Sequence, residues 1–280
     1  MSYKTILAYF NNDKQAKELL AVATRITIDN NAHLIGVYVV PKIWLNPAVS
    51  MEIPADFLSS QRQYYLDEAE RIEALFKHET NAAGVSFEWR TLQSPDQKIA
   101  PVVVEQSRTA DIVILSQSNE ATDTDYSAEV PTAVLMESGR PVLVVPFGQQ
   151  VKNMGEYVAL GWNGTREATR AAFDALPFLE TAKEVSLICV GSKKKTSSSY
   201  SVMGTELAAT LARHDITATI KDIPENNSPI GAQLLEEATM DGGSLLIIGG
   251  YGHSRRREFI FGGATKYILE NMTIPVLISH

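Results

Sequence analysis

Leu245-Leu246-Ile247-Ile248-Gly249-Gly250-Tyr251-Gly252, followed by His253-Ser254-Arg255-Arg256-Arg257 and then Gly262-Gly263-Ala264-Thr265, is the stretch that decides the fold of this chain. The apolar run suits a buried strand, and the glycines mark its end. An amphipathic helix from about Thr265 to Glu270 follows, then a closing strand from Ile274 to Ser279. A glycine-rich strand end feeding a helix N-terminus is where a parallel α/β sheet can hold an anion. Backbone N–H groups point outward there, the helix dipole favours negative charge, and glycine lets an anion approach the main chain.

Working outward, the second half alternates strands and helices. Strands are expected at Tyr157–Trp162, Glu184–Val190, Thr217–Ile223 and Ser244–Gly249, with helices at Glu167–Leu179, Val202–His214 and Pro229–Thr239. The first half has the same order. Its strands run over Tyr3–Phe10, His33–Val40, Ser86–Leu92, Asp111–Leu115 and Pro141–Val145. Its helices include one from Ala16, a long one from about Ala55 to His78, and others near Gln97–Arg108 and Ala128–Glu137. Such alternation predicts βαβ units and a parallel sheet, and right-handed crossovers leave few topologies. Asn11 pairs with Asn163 and Asn119 with Gly252, so the chain is written twice. Gly148 to Asn153 is the linker between domains at 1–147 and 155–280.

The spacing Gly-x2-Gly-x9-Gly at Gly249, Gly252 and Gly262, between two apolar strands, resembles the signature of the universal stress protein family. The resemblance covers nearly the whole chain and is of the tandem type. It implies an α/β fold of two doubly wound five-stranded parallel sheets, adenine nucleotide alpha hydrolase-like, packed as a pseudo-dimer. It also implies a ligand crevice at the strand ends where the order reverses. By the same resemblance ATP or a related adenine nucleotide, with or without Mg, would sit in the second half. Its neighbours there would be Gly161, Asn163, Val190, Gly249, Gly252, Gly262, Gly263, Ala264 and Thr265. The family's aspartate is Asn163 here and its Ser or Thr is Gly263, so one charge and one hydroxyl are missing. In the first half Ser116-Gln117-Ser118-Asn119 replaces the glycine loop and Glu129 stands near the phosphate position. That half is expected to be a domain without nucleotide. The family's last strand often pairs with its counterpart, so Val142–Val145 and Val276–Ile278 are expected to lie antiparallel, with a further homodimer left open.

Several features have plainer readings beside the functional one. The glycines could simply allow close helix packing, Arg255–Arg257 could be a solvated run, and Trp162 could be a packed strand end. His253 fits a surface loop, and the loop from Gly191 to Tyr200 is polar and low in complexity. No Walker loop, serine elbow or acid/base pair is present, so no catalytic residue is assigned and hydrolysis would at most be slow. No metal-ligand spacing is found either. The chain has 280 residues, 45% hydrophobic and 21% charged, with net charge −8 and one cysteine, Cys189. That composition points to a globular cytoplasmic protein without a disulfide framework, and the acidic balance disfavours nucleic acid and membrane surfaces. No apolar run approaches the roughly 18 residues of a membrane helix. Two functions remain: a nucleotide-binding regulator of stress response acting through an unknown protein partner, or a nucleotide-independent scaffold or chaperone-like protein.

Overall fold

The computed structural model describes residues 2–42, 55–119, 126–151, 153–191, 199–224, 226–240, 242–251 and 263–280. Gly252, His253, Arg255–Arg257, Gly262 and most of the polar run after Gly191 lie outside the described residues. The chain divides into two compact units, Tyr3–Arg140 and Pro141–His280.

The first unit contains β1 (Thr5–Phe10), α1 (Ala16–Asn30), β2 (His33–Val40), α2 (Ala55–Ala83), β3 (Ser86–Gln93), α3 (Ala100–Ser107), β4 (Ile112–Ser116) and α4 (Val130–Glu137). Its strands lie in the order β3-β2-β1-β4, all parallel. β1 and β4 are continuous apolar runs because both faces of the sheet are covered, α1 and α2 on one side and α3 with α4 on the other. Aromatic rings fill the centre. Phe76 lies 5.9 Å from Phe10 edge-on and 5.1 Å from Trp89. Gly36 makes room for them, since a Cβ there would sit 2.6 Å from Trp89 Cε3 and 2.7 Å from Phe76 Cε2. α2 runs past the expected end at His78 to Ala83, and stops where Gly84 turns left-handed at φ +67°.

The second unit contains β5 (Val142–Val145), β6 (Tyr157–Gly161), α5 (Arg166–Asp174), α6 (Leu176–Leu179), β7 (Glu184–Val190), α7 (Ser199–Ala212), β8 (Ala218–Ile223), α8 (Ile230–Met240), β9 (Leu245–Gly249), α9 (Gly263–Asn271) and β10 (Val276–Ser279). Its strand order is β5-β10-β9-β6-β7-β8. Five strands, β6 to β10, are parallel, as the repeat predicts. β5 joins them antiparallel to β10, with Val144 opposite Val276, Leu143 opposite Leu277 and Val142 opposite Ile278. The expected pairing of the two closing strands is therefore present, and it places the first half's last strand in the second unit. The helix expected over Glu167–Leu179 is two helices. Pro177 lacks an N–H and starts α6 afresh, so α5 ends at Asp174.

Among the described residues no helix is long and apolar enough to cross a membrane. Cys189 is buried in β7, and burial, with the Asp222 carboxylate, pushes its thiol up to about 11. The thiolate is the reactive form, so iodoacetamide at mildly alkaline pH should label the folded protein far more slowly than the urea-unfolded chain. Equal labelling rates by mass spectrometry would contradict this burial.

Candidate nucleotide crevice

In the second unit the strand order reverses between β6 and β9, and the crevice opens at their C-terminal ends. Gly161 ends β6, and a Cβ there would sit 3.2 Å from Ile248 Cγ2. Trp162 follows, donating its backbone N–H to Ile188 O at 2.8 Å, while its indole N–H is buried without a partner among the described residues. Asn163 turns back on its own loop. Its Oδ1 accepts from the backbone N–H of Thr165 at 3.2 Å and from Thr165 Oγ1 at 2.8 Å. Thr165 then caps α5 by accepting from Ala168 N. The side chain expected at the ribose position is thus also the local turn former.

β9 ends against the start of α5. A Cβ on Gly249 would collide with Ala168 N and with the Glu167 carbonyl carbon, so this glycine permits a helix to touch a strand end. Gly250 donates its N–H to Ser279 O at 2.8 Å, tying the loop to β10. Tyr251 is buried with φ +56°, a left-handed conformation that costs a tyrosine energy, and its N–H reaches Thr265 Oγ1 at 3.5 Å. The loop therefore leaves β9 toward the first turn of α9. Gly263, the first residue of that helix, is exposed and a Cβ there would meet nothing within 4 Å. Ala264 is half-buried and Thr265 is buried. Gly231 of α8 holds this helix end close, because a Cβ there would lie 2.6 Å from Ala264 O. The N–H groups of Gly250 and Tyr251 are engaged within the protein, while the first turn of a helix such as α9 carries N–H groups that have no partner within the helix. Val190 stands at the end of β7, opposite Ile223.

Two residues that sequence reasoning passed over border this loop. Glu167 is buried in the first turn of α5, and Arg166 NH2 lies 3.2 Å from its Oε1. Burial pushes its carboxyl up, but its own backbone N–H, the Arg166 guanidinium and His280 outweigh that and hold it below the usual carboxylate range. His280 places Nδ1 3.1 Å from Gly250 O and donates to it in the tautomer with the proton on Nδ1. A sequence signal existed for Glu167, since an acidic residue in a first helical turn complements the dipole. None existed for His280, whose place is set by the β9–β10 register.

The equivalent crevice of the first unit, between β1 and β4, is built differently. Asn12 Oδ1 accepts from Gln15 N at 3.2 Å, and Gln15 Nε2 donates to Gln117 O beyond β4 at 3.3 Å. Gln15 is only 5% exposed. A side chain of the protein itself thus spans the mouth where the second unit has glycines. Glu68 on α2, also buried, accepts from Tyr38 Oη at 2.7 Å and from Asp13 N at 3.4 Å. Burial holds the Glu68 carboxyl above its ordinary range. Among the described residues no group of three His, Cys, Asp or Glu is placed to hold a metal ion.

The contact at Gly249 gives a stability test. Gly249→Ala forces a methyl group against backbone atoms of α5 and should cost about 1–3 kcal/mol. Gly263→Ala has open space and a better helix former, so it should be neutral or stabilising by up to about 1 kcal/mol. Urea denaturation of the two variants checks the order; equal effects would mean that β9 does not end against α5.

At the level of sequence no family model and no curated protein matches the chain. Solved structures do. A universal stress protein from Archaeoglobus fulgidus is 13% identical, covers 98% of this chain and 97% of its own, and superimposes with a TM-score of 0.75. A protein of unknown function from Pseudomonas aeruginosa PAO1 is 14% identical over 99% of this chain and 92% of its own, with a TM-score of 0.63. A putative universal stress protein from Pseudomonas aeruginosa UCBPP-PA14 is 14% identical over 99% and 93%, with a TM-score of 0.61. Over nearly its whole length, the chain has the fold of universal stress proteins.

Proposed function

We propose that the chain is a universal stress protein whose second unit binds ATP or a related adenine nucleotide and whose output is a changed contact with a protein partner. The observation that carries this reading is the course of the backbone after β9. Gly249-Gly250-Tyr251 turns toward the exposed first turn of α9, with Tyr251 held left-handed and its N–H on Thr265. A strand end that delivers a glycine-rich loop to an exposed helix N-terminus is suited to a phosphate chain. The helix in question presents Gly263, whose missing side chain leaves the approach open. Glu167 nearby would repel an anion, which makes the α9 side of the loop the favourable one. No residue of the crevice is assigned a catalytic part in this reading, and the role proposed is binding.

The scaffold reading is favoured by one specific observation: Asn163 spends its acceptor on Thr165, and the Thr165 hydroxyl caps α5. A ligand would then find only the Nδ2 donor of Asn163 and no free acceptor. Mass spectrometry of small molecules released on denaturing the purified protein separates the two readings, because a tightly held nucleotide co-purifies.

Titration calorimetry with ATP should show one site per chain. Gly252→Val should abolish it, since a branched side chain blocks the approach of phosphate to the backbone. Two sites per chain, or a variant that titrates like the wild type, would overturn the assignment. Gly263→Ser adds a hydroxyl at the start of α9 where space is open, and should tighten binding by about 1 kcal/mol. Unchanged affinity would mean that this position does not face the ligand.

A further inference from the structure

Away from the β1/β4 crevice, the first unit carries a cavity of about 400 Å³ at the C-terminal ends of β2 and β3, against the first turns of α2. Its volume falls in the range of small-molecule sites. Its walls are mainly apolar, from Pro41 after β2, Leu58 on α2 and Pro95 after β3. Two cations line it from different elements. Lys42 follows β2, while Arg62 stands one helical turn beyond Leu58 on α2, on the same face. Among the described residues no acidic side chain lines it. Asp96, close by in the loop after β3, accepts from the backbone N–H of Lys98 within that loop.

The rim is fixed by the protein's own hydrogen bonds. Ser94 N donates to Val40 O at 3.0 Å and Ser94 Oγ to Lys98 O at 2.8 Å, closing the ends of β2 and β3 together. Lys42 Nζ donates to Pro95 O at 3.3 Å, which anchors the ammonium at the mouth with N–H groups left over. Cations of two separate elements, converging on an apolar cavity with no carboxylate among its described walls, match a ligand with an apolar body and one anionic end.

We propose that this cavity binds a small amphipathic organic anion, such as an aromatic carboxylate or phosphate monoester, its ring against Pro41, Leu58 and Pro95 and its anionic end between Lys42 and Arg62. The site is separate from the nucleotide crevice of the second unit and does not depend on it.

Ligand-observed NMR and titration calorimetry on the full-length protein test the proposal with phenyl phosphate, benzoate and the neutral benzyl alcohol. Phenyl phosphate or benzoate should bind saturably, and benzyl alcohol about tenfold more weakly or not at all, because it lacks the charge-assisted contacts. The double variant Lys42→Gln with Arg62→Gln should weaken anion binding by about tenfold or more while leaving ATP titration unchanged. Both side chains are exposed, so the thermal midpoint of the variant should match the wild type, which keeps a folding defect distinguishable. Gly252→Val should leave the anion's affinity intact. Absence of saturable binding by either anion would overturn the proposal. So would binding indifferent to the double variant, or binding abolished by Gly252→Val, which would place the anion in the other unit.

Discussion

The antiparallel ladder between β5 and β10 is the constraint on which the second unit depends. Val142, Leu143, Val144 and Val145 on one strand, and Val276, Leu277, Ile278 and Ser279 on the other, are all buried. Each large apolar side chain withdrawn from water contributes roughly 1.5–3 kcal/mol, an upper figure because the unfolded chain already hides some surface. Without β5, β10 would be an apolar edge strand with unpaired backbone groups, the arrangement that invites association with other chains. β10 in turn pairs with β9 and supplies the Ser279 carbonyl that holds Gly250. The ladder therefore reaches to the glycine loop: move β10, and the exit of β9 loses its anchor.

The crevice is a compromise between packing and binding. Gly249 serves the helix that touches it, and Gly231 serves the seating of α9, so two glycines near the loop are explained by contact alone. Tyr251 is the costly residue, held left-handed where a glycine would be easier. That cost is understandable if the direction of the loop matters, because the turn aims the chain at the first turn of α9. The first unit solves the same geometrical problem without glycine. Gln15 bridges to the Gln117 carbonyl, and the buried Glu68 is held by the Tyr38 hydroxyl. One crevice is spanned by the protein's own side chain, while the other ends at an exposed helix N-terminus.

Much of the fold was legible because the central parallel strands are short buried apolar runs bounded by turn residues, as at Ile112 to Ser116 or Leu245 to Gly249. Helix ends were less legible. Between Phe76 and Gly84 stands neither glycine nor proline, so nothing at His78 stops α2, and the left-handed Gly84 ends it. Pro177, by contrast, acts inside a pattern that otherwise continues. The antiparallel pairing of β5 with β10 was expected, but its place in the second unit was not: the domain boundary was drawn after it, at residue 147, since an apolar strand of four residues does not name its neighbour. At the site, the glycine spacing was visible and its division of labour was not. That Gly249 meets α5, that Thr165 consumes Asn163, and that Gln15 spans the first crevice are facts fixed by packing.

Unequal crevices are the heart of the proposed function: the second would accept an adenine nucleotide and the first would not. Backbone amide chemical shifts of the isotope-labelled full-length protein, followed during addition of ATP, separate the two directly. Saturable shifts are expected at Gly249, Gly250, Tyr251, Gly263, Ala264 and Thr265, and none at Asn12, Gln15, Ser116 or Gln117. Shifts of the first-unit residues with the same midpoint, or no shift at α9, would contradict that inequality.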